Sequence, residues 1–121
     1  MNKKNLKDDF KKELGFVPPG VMVSESFGDN FQDILSKYHH EIWSEGVIPL
    51  KYRYLIALAT AVFDKNETRA KLEMNKALKY GANKEEIIEV LKQQVWMKGA
   101  PTLVQIASLV KYLENKTKNK K

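Results

Sequence analysis

Apolar residues recur three and four positions apart along most of the chain, and glycine and proline separate the resulting blocks. This spacing predicts amphipathic helices, because residues three and four apart lie on one face of a helix. No segment shows the sustained alternation that is typical of a half-buried strand. The chain is therefore predicted to be all-α, a compact bundle of five or six helices. These cover about residues 2–13, 29–45, 49–63, 64–81, 84–98 and 102 to the lysine-rich end, with a short piece at 21–24.

Three helix starts are marked by residues that suit the first turn of a helix. Pro49 stands where a first helical position is expected, since its fixed backbone angle suits that place. Asp64 with Glu67 three residues later predicts a capping pair for the next helix. Asn83 with Glu86 repeats the same spacing and predicts a second capping pair.

The helix that begins near Pro49 contains the longest apolar run, YLIALATAVF at residues 54–63. This run is about half as long as a membrane-spanning helix, so it is predicted to be a buried core helix. Because nearly every position is apolar, the helix needs cover on all sides. Other copies of the chain would supply that cover readily, and a homo-oligomer is predicted.

Other apolar positions indicate which helix faces are buried. Trp96 and Met97 are interpreted as packing residues rather than cofactor contacts. The helix at 29–45 carries an apolar face formed by Phe31, Ile34, Leu35, Tyr38 and Ile42. The final helix is expected to bury Leu103, Ile106, Ala107, Val110 and Leu113.

Length and composition indicate one ordinary soluble domain. A chain of 121 residues predicts a single domain over 1–121, with its core at about 15–112 and a basic tail at 116–121. The absence of cysteine excludes disulfides, thiolate metal sites and thiol redox chemistry. It also fits a cytoplasmic location. The N-terminal stretch MNKKNLKDDFKKE lacks the apolar core of a signal peptide, so none is expected.

The net charge of +6 is concentrated at the two ends of the chain. Residues 1–13 carry +2 and residues 116–121 carry +4, whereas residues 14–115 are neutral. A solvated tail is the simpler interpretation, and phosphate contact is the alternative. No aromatic residue is interleaved with the terminal lysines as a stacking surface for bases requires. Nucleic acid is therefore not expected as a partner, nor is a membrane.

Three stretches from Gly46 onwards carry a family resemblance: GVIPLKYRYLIALATAVF, RAKLEMNKALKYGANKEEIIEVL and VWMKGAPTLVQIA. Together they resemble the carboxymuconolactone decarboxylase family, which includes the alkylhydroperoxidase D-like proteins. The resemblance covers roughly residues 15–112, and the combined spacing is more specific than any single block. It implies an all-helical, alkylhydroperoxidase D-like fold that commonly assembles as trimers or hexamers.

The peroxidase branch of this family uses a Glu, two cysteines in C-x-x-C and a His. Counted without a gap, the Glu position is Tyr54, the cysteine positions are Asn66 and Arg69, and the His position is Glu73. Every member of that relay is replaced. Because neither Asn66 nor Arg69 supplies a thiolate, thiol peroxidase activity is not expected.

The decarboxylase branch also lacks the cysteines and places a His where Glu73 stands. The resemblance therefore implies a carbon–carbon lyase, without a cofactor, that acts on a small carboxylated molecule of the lactone type. In such a reaction Arg69 would hold an anion and either Glu73 or His39 would transfer a proton. The alternative is a non-catalytic binding or assembly protein that kept the family fold.

The candidate catalytic residues are Tyr54, Arg69, Glu73 and His39, predicted to line a small polar pocket. Each has a simpler structural interpretation that stays open. Arg69 and Glu73, four residues apart, can form an ordinary surface ion pair, and Tyr54 can be a core aromatic residue. His39 and His40 diverge by about 100° around their helix, so they cannot easily chelate one ion, and no metal site is expected. His39 lies nearer the apolar face and is the better pocket candidate.

Overall fold

The structure of the protein, a computed structural model, describes residues 6–14 and 19–118. In these ranges there are seven α-helices, one 3-10 turn at Glu25–Phe27 and no strand, which confirms the all-α prediction and exceeds the predicted helix count. The start of the first predicted helix lies outside the described residues. The helices are α1 (Leu6–Leu14), α2 (Pro19–Ser24), α3 (Asp29–Trp43), α4 (Leu50–Phe63), α5 (Glu67–Lys79), α6 (Lys84–Lys98) and α7 (Thr102–Thr117).

The chain divides into two compact units, residues 1–47 and 48–121, and each is described by itself. The prediction of one domain over 1–121 stays a prediction. In the first unit, the Ser24 hydroxyl is fully buried and donates to the carbonyl of Val21 at 2.6 Å. The same hydroxyl accepts from Gln32 Nε2 at 3.3 Å, which joins α2 to α3.

The predicted apolar face of α3 is largely exposed. Gln32 and Ser36 are buried instead, because α3 turns these polar positions towards its own unit and uses Gln32 to bond Ser24. Leu35 is half-buried. The exposed apolar residues of this helix are Phe31, Ile34, Tyr38 and Ile42.

The core of the second unit forms where α4 packs on α5 and α6, and where α7 packs on the same two helices. Leu58, Met74 and Ile87 are fully buried at its centre. Ala61 and Ala70 are also fully buried, and their small side chains let α4 and α5 approach closely. This packing places one long side of α5 inside the unit.

One stripe of α4 is left uncovered within a single chain, and the prediction that other copies of the chain cover this helix stays a prediction. Tyr52, Ile56 and Phe63 are 45%, 56% and 49% exposed, whereas Tyr54 and Leu58 are buried. The three exposed residues fall within about 40° of one another around the helix axis. These exposed apolar residues on one side of the helix are here called the α4 outer stripe.

The predicted Asp64 cap of α5 is wrong by two residues. Lys65 takes the left-handed conformation, with φ at 58°, and the amide of Asn66 donates to the carbonyl of Ala61 at 3.0 Å. This pair of features ends α4 and turns the chain, so Asp64 still belongs to the end of α4. Asn66 is the true cap, and its Oδ1 accepts from the amide of Arg69 at 3.0 Å.

The predicted capping pair at the start of α6 is confirmed. Asn83 Oδ1 accepts from the Glu86 amide at 2.8 Å, and Glu86 Oε1 accepts from the Asn83 amide at 3.0 Å. Glu86 also pairs with Lys51 of α4 at 3.0 Å. The bond from the Asn83 amide, together with the bond from Lys51, lowers the pKa of Glu86 below its ordinary value of 4.5.

Substituting Glu86 by glutamine is expected to make stability less dependent on acid pH. A carboxyl group whose pKa is lower in the folded state stabilises the fold above its unfolded pKa and loses that contribution as pH falls through the folded pKa. Glu86→Gln should therefore lower the urea midpoint at pH 7, and the difference from the original protein should narrow below about pH 4.5. Glu85→Gln, at the exposed neighbouring position, is the matched control. A difference in urea midpoint between Glu86→Gln and the original protein that is as large at pH 3 as at pH 7 would contradict this explanation.

The buried face of α7 differs in register from the predicted one. Leu103 is 57% exposed and Ala107 is exposed, so their predicted burial is wrong, while burial of Ile106 and Leu113 is confirmed. Helices α5 and α6 pack on a face of α7 that is rotated from the expected one. That face consists of Thr102, Ile106, Leu109 and Leu113.

Trp96 and Met97 are also exposed, by 86% and 57%, so their interpretation as packing residues is wrong within one chain. The buried positions of α6 include Ile87 and Gln94. Trp96 lies nine residues after Ile87, which places it on the opposite side of the helix, about 180° away. The apolar character of Trp96 and Met97 therefore belongs to the outer surface of α6.

Candidate functional site

Helix α5 carries two of the four predicted site residues, on the side that meets the core. Ala70, Met74 and Ala77 are fully buried along this side. Glu73 lies beside them and is only 5% exposed. A carboxylate so far from water is costly unless charged or hydrogen-bonding groups compensate it. Its partners therefore decide what the site can do.

Two cations of the same helix lie beside the Glu73 carboxylate. Arg69 Nε is 3.5 Å from Oε2, and Lys76 Nζ is 3.5 Å from Oε1. Both distances are long for a charge-assisted hydrogen bond. Oε1 is buried and accepts no hydrogen bond from the described residues. Arg69, Glu73 and Lys76 are here called the α5 charge cluster.

The two cations differ in their access to solvent. The Arg69 side chain is 50% exposed, while the Lys76 side chain is 16% exposed. Arg69 can therefore meet a solute directly, and Lys76 compensates the inner oxygen of Glu73. The predicted Arg69–Glu73 pair is present, but it is not an ordinary surface pair because its carboxylate is buried.

Sequence reasoning missed Lys76. Its spacing of three residues after Glu73 is the one available signal, since that spacing places two side chains on one helix face. Lys76 Nζ also lies 5.9 Å from the centre of the Tyr54 ring, within the range of a cation–π contact. Lys76 thus links the charge cluster of α5 to α4.

Tyr54 is 1% exposed, and its ring centre is 5.1 Å from that of Tyr80. This burial agrees with its interpretation as a core aromatic residue. Through Lys76 it also borders the charge cluster, so the structure brings Tyr54, Arg69 and Glu73 into one neighbourhood.

His39 belongs to the first unit, whereas the other three predicted residues belong to the second. Its ring packs edge-on against Phe10, with the ring centres 4.4 Å apart. His40, next to it, is exposed. The inclusion of His39 in the predicted pocket stays a prediction.

A cavity of about 160 Å³ lies between the start of α5 and helix α7 and is here called the α5–α7 cavity. Asn66 belongs to its lining, but Tyr54, Arg69 and Glu73 do not. The cavity is therefore distinct from the charge cluster. It is lined by Val62, Lys65, Asn66, Glu67, Ala70, Gln105, Ile106 and Leu109.

A larger and more open groove of about 470 Å³ runs between α6 and α7. Its lining is almost wholly apolar and includes the exposed residues Trp96 and Leu103. Among the described residues, no three His, Asp or Glu side chains are grouped to hold a metal ion. No helix in that part of the chain is long and apolar enough to cross a bilayer.

Comparison with known protein families identifies the family of this chain. The model of the carboxymuconolactone decarboxylase family matches residues 29–112, which is most of the sequence. The chain belongs to this family. No curated protein and no solved structure gives a significant match. The family resemblance is thereby confirmed over residues 29–112.

Membership of the carboxymuconolactone decarboxylase family gives the first turns of α5 a particular meaning. At the positions where an ungapped count is expected to place the peroxidase relay, this member has a helix cap at Asn66, a half-exposed cation at Arg69 and a buried carboxylate at Glu73. Since the sequence has no cysteine, the thiol chemistry of that branch is excluded. The side chains at Arg69 and Glu73 offer charge and proton transfer instead.

Proposed function

We propose that this family member is a cofactor-free lyase that removes carbon dioxide from a small carboxylated molecule of the lactone type. One observation carries the proposal: a buried carboxylate, Glu73, stands between two cations, and its inner oxygen accepts no hydrogen bond. Charged groups held in a water-poor position stabilise developing charge more strongly than the same groups in water.

Each member of the α5 charge cluster has its own role in the proposed reaction. The half-exposed Arg69 binds the substrate carboxylate. The bond between that carboxylate and the adjacent carbon breaks, its electron pair passes into the neighbouring unsaturated carbonyl system, and carbon dioxide leaves. The carbon then takes up one proton. Glu73 passes this proton from water, and Lys76 stabilises the negative charge on the carbonyl oxygen.

The burial of Glu73 supports a functional role over a purely structural one. An exposed ion pair four residues apart contributes only about 0.3–0.5 kcal/mol. Removing a carboxylate from water costs more than such a pair returns, and an apolar residue would fill the same place with less loss. A buried carboxylate at a family reactive position is the kind of costly group that active sites retain.

Turnover of a substrate panel tests this proposal. Small carboxylated lactones and their ring-opened acids would be incubated with the protein, and release of carbon dioxide would be measured. Arg69→Ala should raise KM by about 10–100-fold, because it removes a charge-assisted contact to the carboxylate. Lys79→Ala, which removes an exposed cation from the same helix, is the matched control and should leave KM unchanged. If Arg69→Ala and Glu73→Gln both leave turnover unchanged, the assignment is wrong.

The second candidate function is a non-catalytic binding or assembly protein. The observation in its favour is the burial of Tyr54, since neither of the two cavities described above reaches it. This alternative predicts that the α5 charge cluster has only a structural role, as a set of ion pairs within the fold. Under it, the unmodified protein would release no carbon dioxide from any member of the panel.

The protein is further proposed to act as a homo-oligomer, as a trimer or hexamer, in the cytoplasm. The α4 outer stripe supports this, because it is apolar and exposed. The exposed Trp96 and Leu103 at the groove between α6 and α7 add a second apolar surface. A second copy is the simplest occupant that would remove both surfaces from water.

A further inference from the structure

We propose that each copy of the chain binds its neighbour through two different helices, with the exposed apolar face of α3 from one copy packed along the α4 outer stripe of the next copy. This inference rests on the proposed assembly and not on the proposed lyase activity. The face of α3 is formed by Phe31, Ile34, Tyr38 and Ile42 and is here called the α3 outer face.

A ring of three copies, alone or as half of a hexamer, requires two different surfaces on every copy. A two-fold contact joins a surface to itself and stops at a dimer, whereas a head-to-tail contact repeats until the ring closes. The α4 outer stripe supplies one of the two surfaces. Its partner surface must lie elsewhere on the chain and must also be exposed, apolar and of similar length.

The α3 outer face has the exposure and the length that such a partner requires. Its two middle residues, Ile34 and Tyr38, are 64% and 66% exposed. The face lies within residues 31–42 and the α4 outer stripe within residues 52–63, so each advances about 16.5 Å along its helix. Two helices with matching apolar surfaces can pack side by side over that whole length.

The charges beside the two surfaces are opposite in sign. Residues 29–45 carry four acidic side chains and one lysine, whereas α4 contains no acidic residue. Glu41 is exposed and follows Tyr38 by three positions, so it lies beside the α3 outer face. At the α4 outer stripe, Lys98 Nζ lies 4.6 Å from the centre of the Phe63 ring. Neither Glu41 nor Lys98 forms an ion pair with another described residue.

These charges favour a parallel arrangement of the two helices. In that arrangement Glu41, near the end of the α3 outer face, comes next to Lys98 at the end of the α4 outer stripe. An antiparallel arrangement would place Glu41 near Lys51, which already pairs with Glu86 at 3.0 Å. The parallel arrangement therefore gives each of the two unpaired charges a partner of opposite sign.

Cross-linking between single-cysteine variants tests the inference, since the sequence contains no cysteine of its own. Ile34→Cys and Ile56→Cys place one thiol in the middle of each surface. The two variants are refolded together, treated with a short bismaleimide and separated on a denaturing gel. The mixture should give at least about fivefold more covalent dimer than either variant alone, because only a head-to-tail contact brings these two positions of different copies together. Asn115→Cys mixed with Ile34→Cys is the matched control and should give only background dimer.

Charge exchange provides a second measurement that needs no thiol. Glu41→Lys and Lys98→Glu should each raise the dissociation constant of the assembly about tenfold, because each places like charges side by side. The double variant Glu41→Lys/Lys98→Glu should restore the constant of the original protein. Light scattering over a dilution series measures it.

Four results would overturn the inference in a protein that light scattering shows to be oligomeric. These are the absence of extra dimer in the mixture, an equal amount of dimer from Ile56→Cys alone, and a double charge variant as weak as the single ones. The fourth is a cross-link within one chain of the double variant Ile34→Cys/Ile56→Cys, because α3 of the same copy would then cover the stripe. An unmodified protein with the mass of one chain would instead overturn the proposed assembly, and this inference with it.

Discussion

Substitution of Lys76 by methionine should lower the free energy of unfolding by about 2 kcal/mol. Lys76 lies 3.5 Å from Glu73 Oε1, and its side chain is only 16% exposed. Methionine keeps most of the aliphatic packing but removes the charge. The buried carboxylate is then left with Arg69 alone, which is half exposed and compensates it weakly. Urea unfolding followed by circular dichroism at pH 7 measures the change.

A double substitution separates loss of the charge pair from loss of packing. Glu73→Met combined with Lys76→Met removes both charges, and such replacements in protein interiors are often neutral or stabilising. The double variant should therefore be more stable than Lys76→Met alone. If Lys76→Met changes stability by less than about 0.5 kcal/mol, the ordinary range for surface substitutions, Glu73 does not depend on this cation.

Introducing glutamate at Ile56 should convert the proposed oligomer to a monomer of 14.0 kDa. Ile56 is 56% exposed and occupies the centre of the α4 outer stripe. A carboxylate there would have to be buried without a partner when a second copy packs on the stripe. Light scattering coupled to size-exclusion chromatography at micromolar concentration measures the mass.

The control for this experiment is Asn115→Glu, which adds the same charge at an exposed position near the end of α7. Its mass should remain that of the unmodified oligomer. If the unmodified protein has the mass of one chain, the proposed assembly is contradicted. The α4 outer stripe would then remain exposed to water.

Local sequence signals predicted a helix start correctly where all the hydrogen bonds of that start lie within the same few residues. The Asn83–Glu86 capping box is present as predicted, because both of its hydrogen bonds lie within four consecutive residues. The Asp64 cap failed although the spacing was equally good. Lys65 in the left-handed conformation moved the turn two residues along the chain, and no propensity rule expects lysine there.

Burial was harder to predict than helix position. A helix that is apolar at Trp96 and Met97, or at Leu103, can turn those residues inwards or outwards without changing its own hydrogen bonds. The choice depends on where neighbouring helices lie, which local patterns do not encode. Trp96, Met97 and Leu103 are apolar although they are exposed. Another copy of the chain would cover them in the proposed assembly.

The candidate site was predictable only in part. Family resemblance located Tyr54, Arg69 and Glu73, and the structure brings these three together. Lys76 was missed because lysine on a helix is usually solvent-facing. Packing holds Lys76 beside the buried carboxylate of Glu73.

Glu73 is proposed to take part in chemistry rather than only in packing. The most direct test compares kcat for carbon dioxide release between the unmodified protein and Glu73→Gln, on the panel member that the unmodified protein turns over fastest. Glutamine has nearly the same shape, so unfolding curves should show a folded variant, while kcat should fall by about 10²–10⁴-fold because proton transfer is lost. An unchanged kcat in a folded Glu73→Gln variant would contradict the claim.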